Sequence, residues 1–294
     1  MKRKASDYII DIFIFFVLFL LCIVCLYPYL NQLAMSLNEG TDTTLGGLTV
    51  YPRKFTLDNY KTLFSDNSYV LAFVITISRA ILTTVFQIVV VFSAAYALTR
   101  KNLVGRKFFT IVFTIPAYIS AGLIPTYIVY RTLGLMNNFW VYVIPFGFSF
   151  YNMIIVRSFI QEIPDALEES ALLDGANEVQ ILFKIIIPLS LPVLATIALW
   201  ILVGQWNDWT TTLYYITNKN LYTVQYVMMK VIKQGEQIQQ LALVEAGGID
   251  TEATTTTESV KAAMIMATSI PIIIVYPFLQ KYFVKGVTIG AVKG

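Results

Sequence analysis

The sequence predicts an all-α membrane protein with six transmembrane helices and both termini in the cytoplasm. Of its 294 residues, 57% are hydrophobic and only 13% are charged, and the mean hydropathy is +0.68. A water-soluble domain of this size does not bury so much apolar surface. The apolar residues are grouped in stretches of about 20, the length that an α-helix needs to cross a bilayer.

Six stretches have this length, and they cover roughly Ile9–Leu30, Tyr69–Leu98, Phe108–Tyr130, Phe139–Ile160, Ile185–Trp206 and Val260–Tyr282. We interpret the first as a retained anchor and not a signal peptide, because its apolar region is too long and no small-residue cleavage site follows. The predicted division is an anchor helix with a first outer loop (residues 1–68), a transmembrane core (69–282) and a cytoplasmic tail (283–294).

Lysine and arginine placement gives the predicted orientation. With the N-terminus inside, twelve of these residues lie on the cytoplasmic side in short loops, and eight lie outside in much longer loops. Short loops rich in lysine and arginine stay in the cytoplasm. The long outer connections, about residues 31–68 and 207–259, are candidate surfaces for an extracytoplasmic partner, or else solvated loops.

Several kinds of chemistry are disfavoured by composition. The chain has no histidine, which argues against haem, zinc and histidine-based nucleophilic sites. The two cysteines, Cys22 and Cys25, lie one turn apart in an apolar run and are expected to act as small buried hydrophobes. No P-loop is present, so the chain is not expected to hydrolyse ATP, and nothing in its composition indicates nucleic-acid binding.

The second stretch has one polar face. Arg79 lies in mid-span, where a charge is costly unless it faces protein or water, and Thr76, Thr83 and Gln87 recur with it at helical spacing. This face could border a polar path through the membrane or a partner subunit. A structural ion pair or hydrogen-bond network is the alternative. In the third and fourth stretches, Tyr151 and Asn152 are further candidates for the pathway, with Tyr118, Tyr127 and Tyr130 as weaker ones.

Residues 162–188, which we call the acidic insert, separate the fourth and fifth stretches. Asp165 with Glu168 is predicted to cap a short helix at its start, and Gly175 to end that helix in the left-handed conformation. Asn177 with Gln180 is predicted to cap a second helix that runs to Pro188. The sequence therefore predicts a rigid helix pair.

The acidic insert has an unusual charge for the cytoplasmic side of a membrane. It contains six carboxylates, namely Glu162, Asp165, Glu168, Glu169, Asp174 and Glu178. A basic cleft on a partner protein would complement them. The alternative is an interfacial amphipathic helix, although an acidic face suits anionic lipid headgroups poorly.

The end of the fifth stretch carries a cluster that combines aromatic rings with amide and carboxylate groups, namely Trp206, Asn207, Asp208 and Trp209. Such groups stack on the CH faces of sugars and bond their hydroxyls, so this cluster is a candidate substrate path. An interfacial aromatic belt is the alternative interpretation.

Several motifs together resemble type I ABC importer permeases of the maltose-type carbohydrate family. Glu169-Ser-Ala, Asp174-Gly175-Ala176 and Ile187-Pro-Leu-Ser-Leu-Pro192 are similar to the EAA loop of these proteins. Further matches are Phe55–Phe64, Ala94–Leu98, Trp206–Trp209 and the C-terminal Gln280–Gly294. The family usually has alanine where this chain has Ser170. The Thr-rich segment before the sixth stretch resembles a subgroup that imports oligosaccharides derived from complex polysaccharides.

The resemblance implies a function and a set of partners. The chain would be a permease subunit that moves a sugar, such as an oligosaccharide, across the bacterial cell membrane by alternating access. It would have no cofactor of its own, because ATP and Mg²⁺ would be bound by a cytoplasmic ABC ATPase dimer. A second, homologous permease and an extracytoplasmic solute-binding protein would complete the importer.

The resemblance also assigns roles to individual residues. Those that would contact or couple to the ATPase are Glu168, Glu169, Ser170, Ala171, Asp174 and Gly175, with Gly290, Val292, Lys293 and Gly294 in the tail. Two other functions are considered, an ion-coupled secondary transporter and a type I permease for a non-sugar solute. A secondary transporter would be expected to carry intramembrane carboxylates or histidines.

Overall fold

The computed structural model describes residues 5–119, 121–233 and 255–291, and the side chains of residues 5–7, 9 and 278–291 are not described. Within these ranges the chain is helical and has no β-strand, only an isolated antiparallel bridge between Asn38 and Phe55. The predicted all-α class is confirmed.

Thirteen helices lie in the described residues. In chain order they are α1 (Ala5–Ser36), α2 (Gly40–Thr44), α3 (Asp58–Ser65), α4 (Asn67–Thr99), α5 (Arg106–Tyr118), α6 (Leu123–Thr132), α7 (Phe150–Gln161), α8 (Asp165–Leu173), α9 (Glu178–Ile181), α10 (Ile187–Asn207), α11 (Thr210–Tyr215), α12 (residues 224–233) and α13 (Thr257–Ala291). Short 3₁₀ turns cover Phe139–Tyr142, Ile144–Phe146 and Lys219–Leu221.

Four helical segments of the described chain are long and apolar enough to cross a membrane: Ile10–Ser36, Asn67–Thr99, Glu178–Asn207 and Thr257–Pro277. They correspond to the first, second, fifth and sixth predicted stretches. The first, second and sixth are single helices. The fifth begins earlier than predicted, because α9 continues into α10.

The third predicted stretch is not one helix. It is divided between α5, with 13 residues, and α6, with 10. Gly122 takes a positive φ of 81° between them, and a helix that continued through Pro125 would lose the hydrogen bond to the carbonyl of Ala121. Composition alone did not show this break.

The fourth predicted stretch is also interrupted. The two 3₁₀ turns at Phe139–Phe146 meet α7 at an angle of 46°, and the pair reaches spanning length only when it is counted as one broken segment. α7 begins where the Ser149 hydroxyl accepts a hydrogen bond from the backbone N–H of Asn152, 3.4 Å away. The described residues therefore contain four helical segments that are long and apolar enough to span a membrane, or five with this segment.

The chain forms two compact units. The first comprises Met1–Val70 and Val227–Pro271. Its first long connection is held by buried amides: the Asn59 side chain donates to the carbonyls of Ser36 and Asn38 at 3.0 and 2.8 Å, and accepts from the Ser259 hydroxyl at 2.7 Å. Most of α1, by contrast, exposes its apolar side chains.

The second unit comprises Leu71–Tyr226 and Ile272–Gly294. Its main core is formed by side chains of α4, α7, α9 and α10, whose fully buried members include Ala95, Val156, Ile186 and Ile197. Residues of the acidic insert, among them Ala171 and Ala176, pack against this core. The acidic insert is thus attached to the helical bundle.

Candidate coupling segment and translocation path

The acidic insert begins with α8, but its start differs from the prediction. Pro164, with an extended ψ of 127°, occupies the N-cap position, and no side chain caps the helix. The predicted cap by Asp165 with Glu168 is wrong, because Asp165 is already helical. Proline can hold this position since its fixed φ suits the entry to a helix. The Glu168 carboxylate is consequently available for another partner.

The end of α8 is as predicted. Gly175 has a φ of 82°, its N–H donates to Leu172 at 3.0 Å, and the N–H of Ala176 donates to Ala171 at 2.9 Å. This pair of hydrogen bonds is the Schellman motif, which terminates the helix and satisfies its last carbonyls.

The second predicted cap is also confirmed. The Asn177 side chain accepts from the Gln180 N–H, and the Gln180 side chain accepts from the Asn177 N–H, both at 2.9 Å. The helix that follows does not end at Pro188 as predicted. It passes through one π-helical turn at Leu182–Ile186 and continues as α10. A wide turn just before Pro188 accommodates a ring that has no N–H to donate.

Glu168 is paired within the chain. Arg100, one residue beyond α4, donates from both terminal nitrogens to the two Glu168 carboxylate oxygens, one of them at 3.1 Å. The Arg100 guanidinium also lies 4.2 Å from the ring centroid of Tyr96. Burial alone would lower the pKa of Arg100, but the hydrogen bond and charge of Glu168, together with the Tyr96 side chain, raise it above its usual value. Lys101 approaches Asp165 only at 3.9 Å, and both are largely exposed.

The remaining residues of the predicted coupling set are accessible. Glu169, Ser170, Asp174 and Gly175 are exposed, and Ala171 is half-buried. Leu167, Leu172 and Leu173 expose apolar side chains beside them, Leu173 to 89%. This surface therefore offers both carboxylates and apolar contacts to a partner. Of the predicted tail set, Gly290 lies in α13, whereas Val292, Lys293 and Gly294 lie outside the described residues.

Arg79 is completely buried, and the structure identifies its partners. It donates to the Gln205 side chain at 2.9 Å, to the Asp208 backbone carbonyl at 2.8 Å, and to the Asp208 carboxylate. Its guanidinium lies 4.7 Å from the ring centroid of Tyr142. Asp208 also accepts from the hydroxyls of Thr210 and Thr211. We call these groups the Arg79 network.

The other members of the polar face of α4 also bond within the protein. Thr76 accepts from the Val224 N–H, and Thr83 donates to the Tyr142 carbonyl, each at 2.9 Å. Gln87 donates to the Phe146 carbonyl at 2.6 Å and accepts weakly from Asn152 at 3.4 Å. The hydrogen-bond network that was the alternative interpretation of this face is therefore present.

The four residues after the fifth stretch do not form one surface. Trp206 is buried and Trp209 is half-buried, while Asn207 is exposed and its amide donates to the Val203 carbonyl at 3.0 Å. Asp208 belongs to the Arg79 network. Their role in binding a sugar stays a prediction, and the burial of Trp206 removes its ring from direct access.

A cleft of about 480 Å³ lies in the second unit among α4, α5, α7 and α10. Gln87, Asn152 and Gln205 bring three amides to its wall, and Trp200 and Phe146 contribute aromatic rings. We call it the amide cleft. Gln87 and Asn152 were predicted path residues, but Gln205 and Trp200 were missed. Residues five apart on a helix point about 140° away from each other, so the spacing of these two residues on α10 gave no signal that they line one cleft.

The tyrosines singled out from the sequence have different positions. Tyr151 is exposed and stacks on Trp200, with the ring centroids 6.3 Å apart. Tyr118 is exposed, while Tyr127 and Tyr130 pack around Tyr215 at centroid distances of 6.2 and 4.9 Å. Tyr151 is thus in ring contact with Trp200, which lines the amide cleft.

Comparison with known proteins identifies the family. The model of the family described as "Binding-protein-dependent transport system inner membrane component" matches residues 4–289. The chain belongs to this family. This permease is therefore a subunit of an ABC importer and not an enzyme. Family membership decides against the ion-coupled secondary transporter that was considered from the sequence.

The permease is similar to sugar transport proteins over its full length. It is 32% identical over 297 residues to the polygalacturonan/rhamnogalacturonan transport system permease protein YtcP of Bacillus subtilis, covering 100% of both chains. It is 27% identical over 281 residues to the maltodextrin transport system permease protein MdxG of the same organism, covering 94% of the permease and 93% of its relative.

A solved structure shows the same fold. A chain of a bacterial ABC transporter involved in the import of the acidic polysaccharide alginate superposes with a TM-score of 0.86 and 29% identity. The match covers 96% of the permease and 99% of that chain. The type I ABC permease fold that was expected from the sequence motifs is confirmed.

Proposed function

We propose that the permease imports an oligosaccharide across the bacterial cytoplasmic membrane, as one of two homologous permease subunits. A cytoplasmic ATPase dimer would bind ATP and Mg²⁺, and an extracytoplasmic solute-binding protein would deliver the sugar. The observation that carries this proposal is the unbroken helical path from the Asn177 cap through the π turn into α10, the helix that contributes Gln205 and Trp200 to the amide cleft.

This path supports a mechanical role for the acidic insert. α8 is closed at its end by the Schellman motif, and only Asp174–Ala176 separate its last residues from the Asn177 cap. A displacement of α8 is therefore passed to α10 with little loss in the connection. Rigid elements of this kind transmit a movement at one site to a bistable helical bundle.

The amide cleft supports a sugar as the substrate. Its volume of about 480 Å³ falls within the range of roughly 300–1,000 Å³ typical of small-molecule sites. Amide side chains can donate to and accept from hydroxyl groups, and aromatic rings can stack on sugar CH faces. Its described lining residues carry no charged side chain, which favours contact with the neutral parts of a glycan. The names of the two relatives agree with a sugar.

We further propose six spans with both termini in the cytoplasm. α5 and α6 together would form the third span, with the break at Gly122 buried among neighbouring helices or lining the path. The short connection between α4 and α5 carries or adjoins Arg100, Lys101, Arg106 and Lys107, and this density of basic residues supports an inner location for it. The acidic insert would face the same compartment.

The substrate proposal can be tested with the assembled importer in lipid vesicles. The binding protein would be loaded in turn with maltodextrins, galacturonate oligomers and galacto-oligosaccharides, and ATP turnover and uptake of the labelled glycan would be measured. An amino acid and phosphate are included in the panel as non-sugar solutes. We expect at least one oligosaccharide to stimulate both, and Trp200→Ala to reduce uptake of that sugar. Stimulation only by the amino acid or by phosphate would establish the non-sugar alternative. An unchanged uptake rate in Trp200→Ala would remove the amide cleft from the path.

A further inference from the structure

We infer that Arg100 is a positioning residue for energy coupling. It holds α8 against the end of α4, so that a movement of the acidic insert reaches the second span as well as the fifth. This inference rests on the proposed function. It concerns a different connection, however, because the covalent path from the acidic insert leads to α7 and α10 but not to α4.

The geometry of the Arg100–Glu168 contact suits this role. A guanidinium that donates two bonds to one carboxylate fixes the orientation of both groups, not only their separation. The Tyr96 ring supports the guanidinium from one side at 4.2 Å. Both charged side chains are partly shielded, with 36% of Arg100 and 22% of Glu168 exposed. The contact thus restrains rotation of α8 about its own axis.

Glu168 and Glu169 are consequently assigned different tasks. Successive residues of an α-helix point about 100° apart, so two adjacent glutamates cannot face the same neighbour. Glu168 faces the end of α4 and is bonded there, whereas Glu169 is exposed. Fixing the first determines the direction in which the second is presented to the ATPase.

The Arg100 contact also has a route to the substrate path. Arg100 directly follows α4, and α4 carries Gln87, which lines the amide cleft together with the α10 residue Gln205. If α8 moved α10 alone, only one wall of the cleft would be displaced. A connection to both helices moves the two walls in one step.

Lys101 provides a matched control. It is the neighbouring basic residue and lies 3.9 Å from Asp165 on the same helix, but 88% of Lys101 and 84% of Asp165 are exposed. An exposed single-point ion pair contributes little and fixes no orientation. Lys101→Gln removes the same formal charge as Arg100→Gln at an adjacent position.

The test uses the assembled importer in vesicles, with the oligosaccharide from the panel above that gives the largest ATP-dependent uptake. Uptake and ATP hydrolysis are measured together for the wild type, Arg100→Gln, Glu168→Gln, the exchanged pair Arg100→Glu/Glu168→Arg, and Lys101→Gln. We expect both single variants at the pair to lower the sugar transported per ATP by about fivefold or more, with ATP hydrolysis retained. The exchanged pair should recover much of this ratio, and Lys101→Gln should keep the wild-type ratio.

The outcomes separate this inference from the proposed function. A wild-type ratio in Arg100→Gln, or an exchanged pair no better than the single variants, would overturn the positioning role. Loss of assembled complex with an unchanged ratio would show a purely structural role and would also overturn it. If the wild-type importer itself shows no ATP-dependent sugar uptake, the proposed function fails first.

A second readout needs no sugar. With Cys22 and Cys25 replaced by serine, spin labels at Asn102→Cys and Leu173→Cys report the distance between the end of α4 and the end of α8 by pulsed EPR. We expect one narrow distance distribution with and without Mg-ATP and vanadate in the otherwise native complex, and a broad one when Arg100→Gln is added. Equal widths in the two proteins would contradict the inference.

Discussion

Glu169 is the acidic residue of α8 whose charge is best placed for a partner, because Glu168 is bonded to Arg100 and Asp165 lies near Lys101. We predict that Glu169→Lys will uncouple ATP hydrolysis from uptake while the protein remains in the membrane, since a basic partner cleft would repel the new charge. Uptake and membrane content are measured in the same cells, with Glu169→Gln as the milder variant. Normal uptake in Glu169→Lys would contradict the assigned role.

The Arg79 network gives an asymmetric prediction for stability. In Asp208→Leu, the fully buried guanidinium of Arg79 keeps only neutral partners, the Gln205 side chain and the backbone carbonyl of residue 208. In Arg79→Leu, the Asp208 carboxylate keeps the hydrogen bonds that its threonine neighbours donate. Removing one partner of a buried ion pair costs about 3–5 kcal/mol. We therefore expect Asp208→Leu to lower the thermal midpoint of the solubilised complex more than Arg79→Leu.

The double variant Arg79→Leu/Asp208→Leu is the control for this comparison. It leaves neither charge unpaired, so it should recover part of the loss seen in Asp208→Leu. Additive losses in the double variant would show that the two residues stabilise the protein independently.

At the scale of elements, Gly175 determines where α8 ends. Its φ of 82° is strained for a residue with a Cβ, although a Cβ there would meet no atom within 4 Å. Gly175→Ala should therefore cost about 1–2 kcal/mol from backbone strain alone and lower the transported sugar per ATP. Asparagine tolerates this conformation, so Gly175→Asn should lie closer to the wild type. Equal losses for both would show that the side chain, and not the backbone, matters here.

The sequence predicted a helix end correctly where the hydrogen bonds that define it join residues close together in the chain. The Gly175 terminus and the Asn177–Gln180 cap involve residues within five positions of one another, and both were predicted correctly. The start of α8 was not, because its first residue is set by the backbone of Pro164. The breaks in the third and fourth predicted stretches depend on Gly122 and on the turns before Ser149, and the overall hydrophobicity of those stretches conceals them.

Long-range pairs account for what the sequence could not show in the candidate site. Arg79 was recognisable as a charge in mid-span, but its partner Asp208 lies 129 positions away, and Glu168 is separated from Arg100 by 68. Gln87 and Asn152 could be nominated individually from their polarity. Only the fold shows that they share a cleft with Gln205 and Trp200.

At the scale of the whole molecule, the six-span arrangement predicts which residues are accessible from each side. With Cys22 and Cys25 replaced by serine, single cysteines are introduced at Ser170 in the acidic insert and at Lys219 in the connection after α11. In intact cells stripped of the outer layers, a membrane-impermeant maleimide should label Lys219→Cys only. Permeabilised cells, in which both should react, provide the control. Labelling of Ser170→Cys from outside would reverse the proposed topology.

The C-terminal end of α1 is held by hydrogen bonds, whereas most of the helix exposes its side chains. At about 1.5 Å per residue its 32 residues extend about 48 Å, well beyond a hydrocarbon core of about 30 Å. Its last turns are bonded, since Asn31 donates to the Leu48 carbonyl at 2.8 Å and Ser36 shares a hydrogen bond with Tyr60 at 2.9 Å. One residue inserted ahead of Asn31 would rotate the preceding apolar part of α1 by about 100° about the helix axis, relative to these hydrogen bonds. Substitutions in α1 can therefore exchange one apolar residue for another during evolution. Insertions and deletions of residues in this helix are not tolerated in the same way.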